Sequence, residues 1–411
     1  MCARLLGRVR LHRSDRTAGR NVRPDVSRRW VVGSRLRMRD DVDVTLVNPR
    51  PAFVDRIRLH QFVAGTGEAA VDYDSMLDDG VHLVVDTATR IDTGARTVEL
   101  ASGRELDYDY VIYAVGSTAA VPSVPGAAEF AVPLAELESA QRVRGELDQL
   151  RADAPITVVG GGLTGIETAA ELAERGRRVT LVCGGTLAPS LGAGSRRYIA
   201  KWLARHGVTV LETVEVAEVR PDAVAYTDGT VRASALTVWT AGFAVPELAA
   251  ASGLRTDDLG RLLTDETLTS LDDDRIVAAG DAAAPSGLPL RMSCQAAAPL
   301  GAQAADTVLS RIAGTEPPVL DVALVGSCVS LGRHAAVRQF ARKDDTALNF
   351  QVGGRLGAAY KELACKLGVL KIRREARKPG SLRWIKGGRR VAGPASAAAP
   401  ATPTRTASPG R

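Results

Sequence analysis

Apolar and polar positions alternate in short runs along the chain, and these runs predict strands alternating with helices. Ile156 to Val159 is predicted to be a buried strand, Ile166 to Glu174 an amphipathic helix, and Val179 to Cys183 the next strand. Further strands are predicted at 43–47, 81–85, 97–100, 109–116, 208–211, 236–242 and 276–281, with further helices at 135–150, 198–206 and 296–312. Continuous apolar strands of this kind are typical of parallel sheets covered by helices. The pattern therefore predicts an α/β protein.

Both ends of the chain depart from this pattern. Residues 1–35 are rich in arginine and show little apolar periodicity, so regular structure is expected to begin near Leu36. Residues 393–411 are rich in Ala, Pro, Ser and Thr, a composition that cannot form a core, and we expect disorder there. With 411 residues the chain is long enough for two or three domains.

The predicted strand at 156–159 leads into a glycine-rich turn, Gly160-Gly161-Gly162-Leu163-Thr164-Gly165. A strand before it and a helix after it are the context that makes G-x-G-x-x-G a dinucleotide-binding fingerprint. Gly160 permits the tight turn, Gly162 lets the backbone approach a pyrophosphate, and Gly165 lets helix and strand pack closely. The amino end of the helix then supplies free N–H groups for the phosphates.

Cys183 follows the second strand of this unit, at the position where an acidic residue usually binds the adenosine ribose. Arg178, Arg196 and Arg197 are near enough in sequence to meet a 2′-phosphate instead. Both NADH and NADPH therefore remain candidates. Cys183 itself is interpreted as a small residue that fills the strand end.

Two further strands end in glycine: Tyr113-Ala114-Val115-Gly116, and Ala279-Gly280-Asp281 about 120 residues after the first motif. The order of these motifs resembles the two-dinucleotide-fold flavoproteins of the pyridine nucleotide–disulfide oxidoreductase superfamily. The similarity is greatest to type II NADH dehydrogenases and the related apoptosis-inducing-factor-like oxidoreductases. Their G-x-T-G-x-E resembles 162–167 here, their A-Q-x-A resembles 293–296, and their strand leaving the NAD domain resembles 238–242.

The resemblance implies two Rossmann-like three-layer ββα domains, with the NAD(P) domain inserted into the FAD domain, and a small α+β C-terminal domain. The implied parts are an atypical segment at 1–35, an FAD domain at 36–118 and 266–315, an NAD(P) domain at 119–265, a basic C-terminal domain at 316–390 and a disordered tail at 391–411.

The same resemblance assigns roles to individual residues. Glu167 is expected near flavin and nicotinamide, and Gln295 at the quinone end of the flavin. Asp281, after Gly280, is expected to contact the ribityl or pyrophosphate part of FAD. Asn48 stands where an acid for the FAD ribose is expected, and it can still hydrogen-bond there. Gly116 and Gly242 mark the strands that leave the two domains.

Three departures from the family pattern are visible. The FAD glycine turn expected near residue 10 is missing, and residues 1–35 are either the product of a shifted reading frame or a true basic arm. Pro299 is expected to kink its helix, because it removes a backbone donor. No C-x4-C motif or metal-ligand spacing is found among the five cysteines, which disfavours disulfide chemistry and a metal site.

The function implied is an FAD-dependent oxidoreductase that takes hydride from NAD(P)H and passes electrons to a quinone or another small acceptor. The alternatives are a soluble enzyme that reduces a protein such as a ferredoxin, or a redox-inactive NAD(P)H-binding protein. The net charge of +6 is concentrated at the two ends, and cations alternate with apolar residues between 333 and 386. We expect a cytoplasmic protein with a peripheral membrane surface or a homodimer interface, and no nucleic-acid partner.

Overall fold

The computed structural model of the chain describes residues 5–11, 31–77 and 80–388. The first elements are β1 (Leu5–Leu11), α1 (Val31–Leu36), β2 (Val42–Asn48), β3 (Ala52–Val54), α2 (Leu59–Val63), β4 (Ala70–Asp72), β5 (Val81–Val85), β6 (Ala88–Asp92), β7 (Thr97–Leu100), β8 (Glu105–Asp107), β9 (Tyr110–Ala114) and β10 (Thr118–Ala119). The middle elements are α3 (Ala127–Phe130), β11 (Ala131–Pro133), α4 (Leu137–Gln149), β12 (Pro155–Val159), α5 (Leu163–Glu174), β13 (Arg178–Val182), α6 (Ala193–Arg205), β14 (Thr209–Leu211), β15 (Val216–Val219), β16 (Ala223–Tyr226), β17 (Val231–Ala233), β18 (Leu236–Trp239) and β19 (Phe243–Ala244). The last are α7 (Leu248–Ala251), β20 (Leu262–Thr264), β21 (Ile276–Ala278), β22 (Ala283–Pro285), α8 (Cys294–Ile312), β23 (Gly326–Leu331), β24 (Ala335–Ala341), β25 (Ala347–Gly353) and α9 (Gly354–Arg377).

The first unit is built on a five-stranded sheet in the order β21-β9-β1-β2-β5, with β6, β7 and β8 as a separate antiparallel sheet. Strand β2 is parallel to β5, and β21 is parallel to β9. Helices α1 and α8 pack against each other and against this sheet. The α/β class predicted from the hydrophobic pattern is confirmed.

Strand β1 occupies the centre of this sheet but runs antiparallel to both neighbours, β2 and β9. Leu6 and Val9 are buried in the core. The expectation that regular structure begins near Leu36 is therefore wrong, because the apolar residues among the arginines are enough for one strand. The reversal brings Leu11 opposite Val42, at the amino end of β2. The chain thus leaves β1 at the sheet edge opposite the carboxyl ends of β2 and β9.

The second unit is a fully parallel sheet in the order β11-β18-β12-β13-β14, with β15, β16 and β17 as an antiparallel appendage. Its strands are buried because helices α4, α5 and α6 accompany them. The unit is inserted between β10 and β19, which pair with each other as a two-stranded ribbon. Residues from Val245 onward pack into the core of the first unit. The extent of the nucleotide domain, 119–265, stays a prediction.

The C-terminal unit is an antiparallel sheet, β23-β24-β25, packed against α9. Val329, Leu331 and Val337 of this sheet share one apolar core with α5 and with α2 of the first unit. Helix α5 therefore lies where the three units meet. The tail predicted to be disordered from 391 lies outside the described residues.

A buried ion-pair cluster connects α1, α8 and α9. The Arg35 guanidinium lies 2.6 Å from Asp306 and 3.0 Å from Glu375, whose side chain is completely buried. Glu375 also accepts hydrogen bonds from the Gly380 amide and the Ser381 hydroxyl. These bonds replace the hydration that the carboxylate loses on burial. Helix α8 continues without a break past Pro299.

Candidate functional site

The glycines of the turn between β12 and α5 have two roles. Gly160 and Gly165 allow the backbone to pack closely, whereas Gly162 leaves open space beside the helix end. Gly160 has φ +126°, and a Cβ there would lie 2.5 Å from Thr240 Oγ1. A Cβ on Gly165 would lie 2.0 Å from the Gly160 carbonyl oxygen. Both positions therefore require glycine for the turn and for close packing.

Gly162 has the opposite character. A Cβ there would meet no atom within 4 Å, and its φ of −78° is open to any residue. It precedes the first helical residues, Leu163 and Thr164, whose N–H groups are among the unpaired donors of a helix amino end. The space above Gly162 thus fits an anion that approaches the positive end of the helix dipole.

Cys183 lies at the carboxyl end of β13, against this turn. A Cβ on Gly161 would lie 3.1 Å from its Sγ. Burial, with a smaller contribution from the charge of Glu212, raises the pKa of the Cys183 thiol to about 12. The thiol is therefore uncharged at neutral pH, and its role as a small residue that fills the strand end stays an interpretation. Arg178 begins β13 and so lies at the far edge of the sheet, which removes it as a partner for a 2′-phosphate.

The loop after β13 faces acidic residues. One carboxylate oxygen of Glu212, just after β14, accepts a hydrogen bond of 3.0 Å from the Leu187 amide. The Glu215 side chain lies 3.8 Å from the position of a Cβ on Gly184. Strand β13 does not end in the usual acidic residue. Two acidic residues that follow the next strand, Glu212 and Glu215, lie beside the same loop instead.

Glu167, on α5, lies in a buried polar cluster. Its Oε1 accepts hydrogen bonds of 2.9 Å from the Ser330 amide, from the Ser330 hydroxyl and from Lys361 Nζ. Its Oε2 lies 3.5 Å from His60 Nδ1. Burial opposes ionisation, but the charge and hydrogen bond of Lys361 and the hydrogen bond from the Ser330 amide outweigh it, so the pKa of Glu167 is lowered. Glu167 is therefore a carboxylate at neutral pH.

Two partners of Glu167, Lys361 and His60, also have shifted pKa values. The pKa of Lys361 is raised because the charge of Glu167 outweighs the cost of burial. Burial lowers the pKa of His60 to about 4, so His60 is neutral at pH 7. Its Nε2 lies 3.2 Å from the Ser330 hydroxyl.

The carboxyl ends of β9 and β21 form a second polar region. The Ser117 hydroxyl donates to Asp281 Oδ2 at 2.8 Å, and Arg56 Nη1 donates to the Ser117 carbonyl at 2.9 Å. Gly280 has φ +69° and faces Ala297 of α8. Gln295, in the first turn of α8, has a buried Oε1 for which the described residues offer no hydrogen-bond partner.

Asn48 lies at the carboxyl end of β2, beside a small cleft. The cleft is also lined by Arg50, Ser117 and Tyr73, whose buried hydroxyl finds no partner among the described residues. Asn48 Nδ2 donates to the Arg50 carbonyl. Gly116 (φ +68°) and Gly242 (φ +80°) lie instead where the chain enters β10 and β19, so they shape the connection between the units.

A family model described as pyridine nucleotide-disulphide oxidoreductase matches residues 31–301. The chain belongs to this family. Membership implies an oxidoreductase with FAD and NAD(P)H as cofactors. The match begins at residue 31, after the arginine-rich segment.

Relatives and solved structures agree with this membership. An NADH dehydrogenase-like protein of Mycobacterium tuberculosis is 32% identical over 319 residues, covering 72% of this chain and 79% of that protein. A type II NADH:quinone oxidoreductase of Staphylococcus haemolyticus is 25% identical, covering 79% and 92%. The structure of NDH2 from Plasmodium falciparum in complex with NADH has a TM-score of 0.70 at 14% identity, covering 85% of this chain and 95% of that one, and so shares the fold.

The residues of this family member fit FAD at one end of the expected site. Buried polar atoms of Gln295 and Tyr73 without protein partners lie beside the carboxyl ends of the first sheet, where such a cofactor offers hydrogen-bonding groups. At the pyrophosphate end the sequence contains no G-x-G-x-x-G after β1, and β1 itself runs in the reverse direction. The buried polar atoms beside the first sheet thus fit the cofactor, whereas the sequence lacks the glycine turn of the family pattern.

Cys183, Cys294, Cys328 and Cys365 are all free thiols. Within the described ranges, no cluster of three His, Cys, Asp or Glu side chains is placed to hold a metal ion. Sequence reasoning missed Lys361, His60 and Ser330, because nothing in their neighbours along the chain marks them as partners of Glu167.

Replacing Gly162 with leucine is predicted to preserve the fold and weaken NADH binding by about 100-fold, close to 3 kcal/mol. The added side chain would fill the space above the helix end without touching protein atoms. Calorimetric titration with NADH measures the change. Gly145→Leu, at an exposed helical glycine that is equally uncrowded, is the control and should bind normally. Unchanged affinity in Gly162→Leu would refute this site.

Proposed function

We propose that the protein oxidises NADH and delivers the electrons to a quinone. The observation that carries the proposal is the arrangement on α5. One end of this helix presents an open anion site at Gly162, and Glu167, less than two turns further, is a buried carboxylate. The relatives named type II NADH:quinone oxidoreductase support the choice of acceptor.

The chain's own residues bind and orient the reactants. The turn at 160–165 holds the nicotinamide nucleotide by its phosphates. Glu167 is held in place by Lys361 and Ser330, and its fixed charge orients the nicotinamide end of the nucleotide. The side-chain NH2 of Gln295 is the group we assign to donate a hydrogen bond to a quinone carbonyl.

FAD, when bound, supplies the two-electron carrier between the nucleotide and the acceptor. The polar atoms of Gln295, Tyr73 and Ser117 are the groups we assign to hold it. These assignments follow the family and the buried donors and acceptors described above.

NADH rather than NADPH is the proposed donor. Glu212 and Glu215 flank the loop after β13, where the adenosine ribose is expected. A 2′-phosphate there would meet carboxylates at close range, whereas ribose hydroxyls can donate to them.

The outer face of α9 is the proposed membrane-facing surface. Apolar residues recur along it at spacings of four and three, and all are exposed: Leu356, Tyr360, Leu363, Leu367 and Leu370. Exposed cations accompany this stripe: Arg355, Lys366, Lys371 and Arg374. An apolar stripe bordered by cations fits the surface of an anionic bilayer, where each cation contributes about 1 kcal/mol. None of the described helices is both long enough and apolar enough to span a bilayer.

The function is tested by following NADH oxidation with a short-chain ubiquinone in protein supplied with FAD. Turnover should require the quinone, and Glu167→Gln should lower kcat by about 100-fold, because the fixed charge is lost. Glu146→Gln, an exposed glutamate on α4, is the matched control and should leave kcat unchanged. Absence of quinone-dependent turnover in FAD-loaded wild-type protein would contradict the proposal.

The same assay compares the two nucleotides. We expect kcat/KM for NADH to exceed that for NADPH, and Glu212→Gln to narrow the ratio by about tenfold, since one repulsive charge of about 1.4 kcal/mol is removed. Equal use of both nucleotides by the wild-type protein would overturn the assignment of NADH.

Flotation with vesicles tests the membrane surface. The protein should float with phosphatidylglycerol vesicles at low salt, and less with pure phosphatidylcholine vesicles, because the cations prefer anionic lipid. Leu363→Glu combined with Leu367→Glu should abolish flotation, whereas Val121→Glu, exposed on the chain between β10 and α3, should not. Equal flotation of both variants, or dissociation of a dimer by the first, would count against a membrane surface.

A further inference from the structure

Arg50 forms an ion-pair bridge between the first unit and the nucleotide unit. It follows β2 of the first unit, and its guanidinium lies 2.5 Å from Glu138 and 3.1 Å from Glu136. Both glutamates stand at the start of α4, in the nucleotide unit. Arg50 Nε and Nη2 donate to the two oxygens of the Glu138 carboxylate, so this contact is bidentate and fixes the geometry of both side chains.

The bridge lies beside the small cleft at the carboxyl end of β2. Arg50, Tyr73 and Ser117 line the cleft from the first unit, and Glu136 lines it from the nucleotide unit. The cleft is therefore shared by the two units. Tyr73 and Ser117 are among the groups that we assign to hold FAD, so the bridge adjoins the site of the cofactor.

Exposure to solvent increases from the buried end of this cleft toward the bridge. Asn48 and Tyr73 are 2% and 1% exposed. The side chains of Arg50 and Glu136 are 16% and 20% exposed, and that of Glu138 is 57% exposed. The bridge therefore lies between the buried polar groups and water.

Glu136 is also held from its own side of the cleft. The Thr118 hydroxyl, in β10, donates a hydrogen bond to Glu136 Oε1. Strand β10 begins the ribbon that connects the two units. The bridge is thus fixed on the nucleotide side by a backbone element, whereas Glu138 extends into solvent.

We propose that the Arg50 bridge is a gate that opens when FAD enters or leaves its site. The cleft is small, so a molecule as large as FAD passes only when the bridge opens. Partly exposed ion pairs are weak enough to break in water without unfolding the protein. The gate rests on the FAD site of the proposed function, and it does not depend on which acceptor takes the electrons.

Opening requires a movement of side chains rather than a separation of the units. Val54 lines the same cleft and belongs to the apolar core that the first unit shares with α5. That core keeps the two units together. The Arg50 and Glu138 side chains swing apart, because their charged ends can be hydrated when the pair breaks.

The test measures uptake and release of FAD and needs no turnover. Mixing FAD with flavin-free protein gives the rate of uptake, and diluting FAD-loaded protein gives the rate of release, both followed by flavin fluorescence. Arg50→Gln should speed both rates by about tenfold, because two ion pairs no longer have to break. The Kd is the ratio of the two rate constants, so it should change by less than about threefold.

A second variant and a control accompany this measurement. Glu138→Gln removes only the exposed partner and should speed both rates by about threefold. Arg220→Gln breaks an ion pair of comparable exposure with Glu218, inside the nucleotide unit, and should leave both rates unchanged. Added salt should speed release from the wild-type protein more than from Arg50→Gln, because salt screens the exposed charges of the bridge.

Two results would overturn the gate. One is wild-type rates of uptake and release in both Arg50→Gln and Glu138→Gln. The other is faster release from Arg50→Gln without faster uptake, which is the signature of a residue that binds FAD directly. Failure of the FAD site has a different signature. The wild-type protein would then take up no FAD, and the gate and the proposed function would both be wrong.

Discussion

The contact between Lys361 and Glu167 holds the functional centre together. Each group would be unstable alone in the interior, because a buried charge without a partner costs several kcal/mol. Together, and with Ser330 donating twice to the carboxylate, they are stable. The pair also joins the three units, since Glu167 belongs to the nucleotide domain and Lys361 to the C-terminal helix, while His60 of the first unit closes the cluster. The position of α5, and with it the nucleotide turn, depends on this pair.

The glycines of the turn at 160–165 differ in what requires them. Gly160 and Gly165 are required by the protein's own packing, and would be required without any ligand. Gly162 is different, because the protein leaves the space beside it empty. The fixed carboxylate begins less than two turns away on the same helix. One short element therefore combines an anion site with a buried charge, which suits a nucleotide whose phosphates and nicotinamide end need different surroundings.

The sequence predicted the elements that depend on residues close together along the chain. The turn at 160–165, the strands flanking α5, and the helix that begins near Gln295 follow from hydrophobic periodicity and glycine placement. Partners brought together by the chain's long-range folding were not predictable. Lys361 lies almost 200 residues from Glu167 and was one cation in a basic region. The reversed direction of β1 depends on its pairing with β2 and β9. No pattern of residues within β1 indicates that pairing. The burial of Val245 and Leu248 in the core of the first unit depends likewise on long-range packing.

The proposed function requires that NADH bound at α5 reduce a flavin in the same molecule. The most direct measurement is an anaerobic titration of FAD-loaded protein with NADH, followed by the flavin absorbance. We predict complete bleaching with one equivalent of NADH, and bleaching about 100-fold slower at limiting NADH in Gly162→Leu. A flavin that stays oxidised while calorimetry records NADH binding would contradict the account, and would leave the chain as a nucleotide-binding protein only.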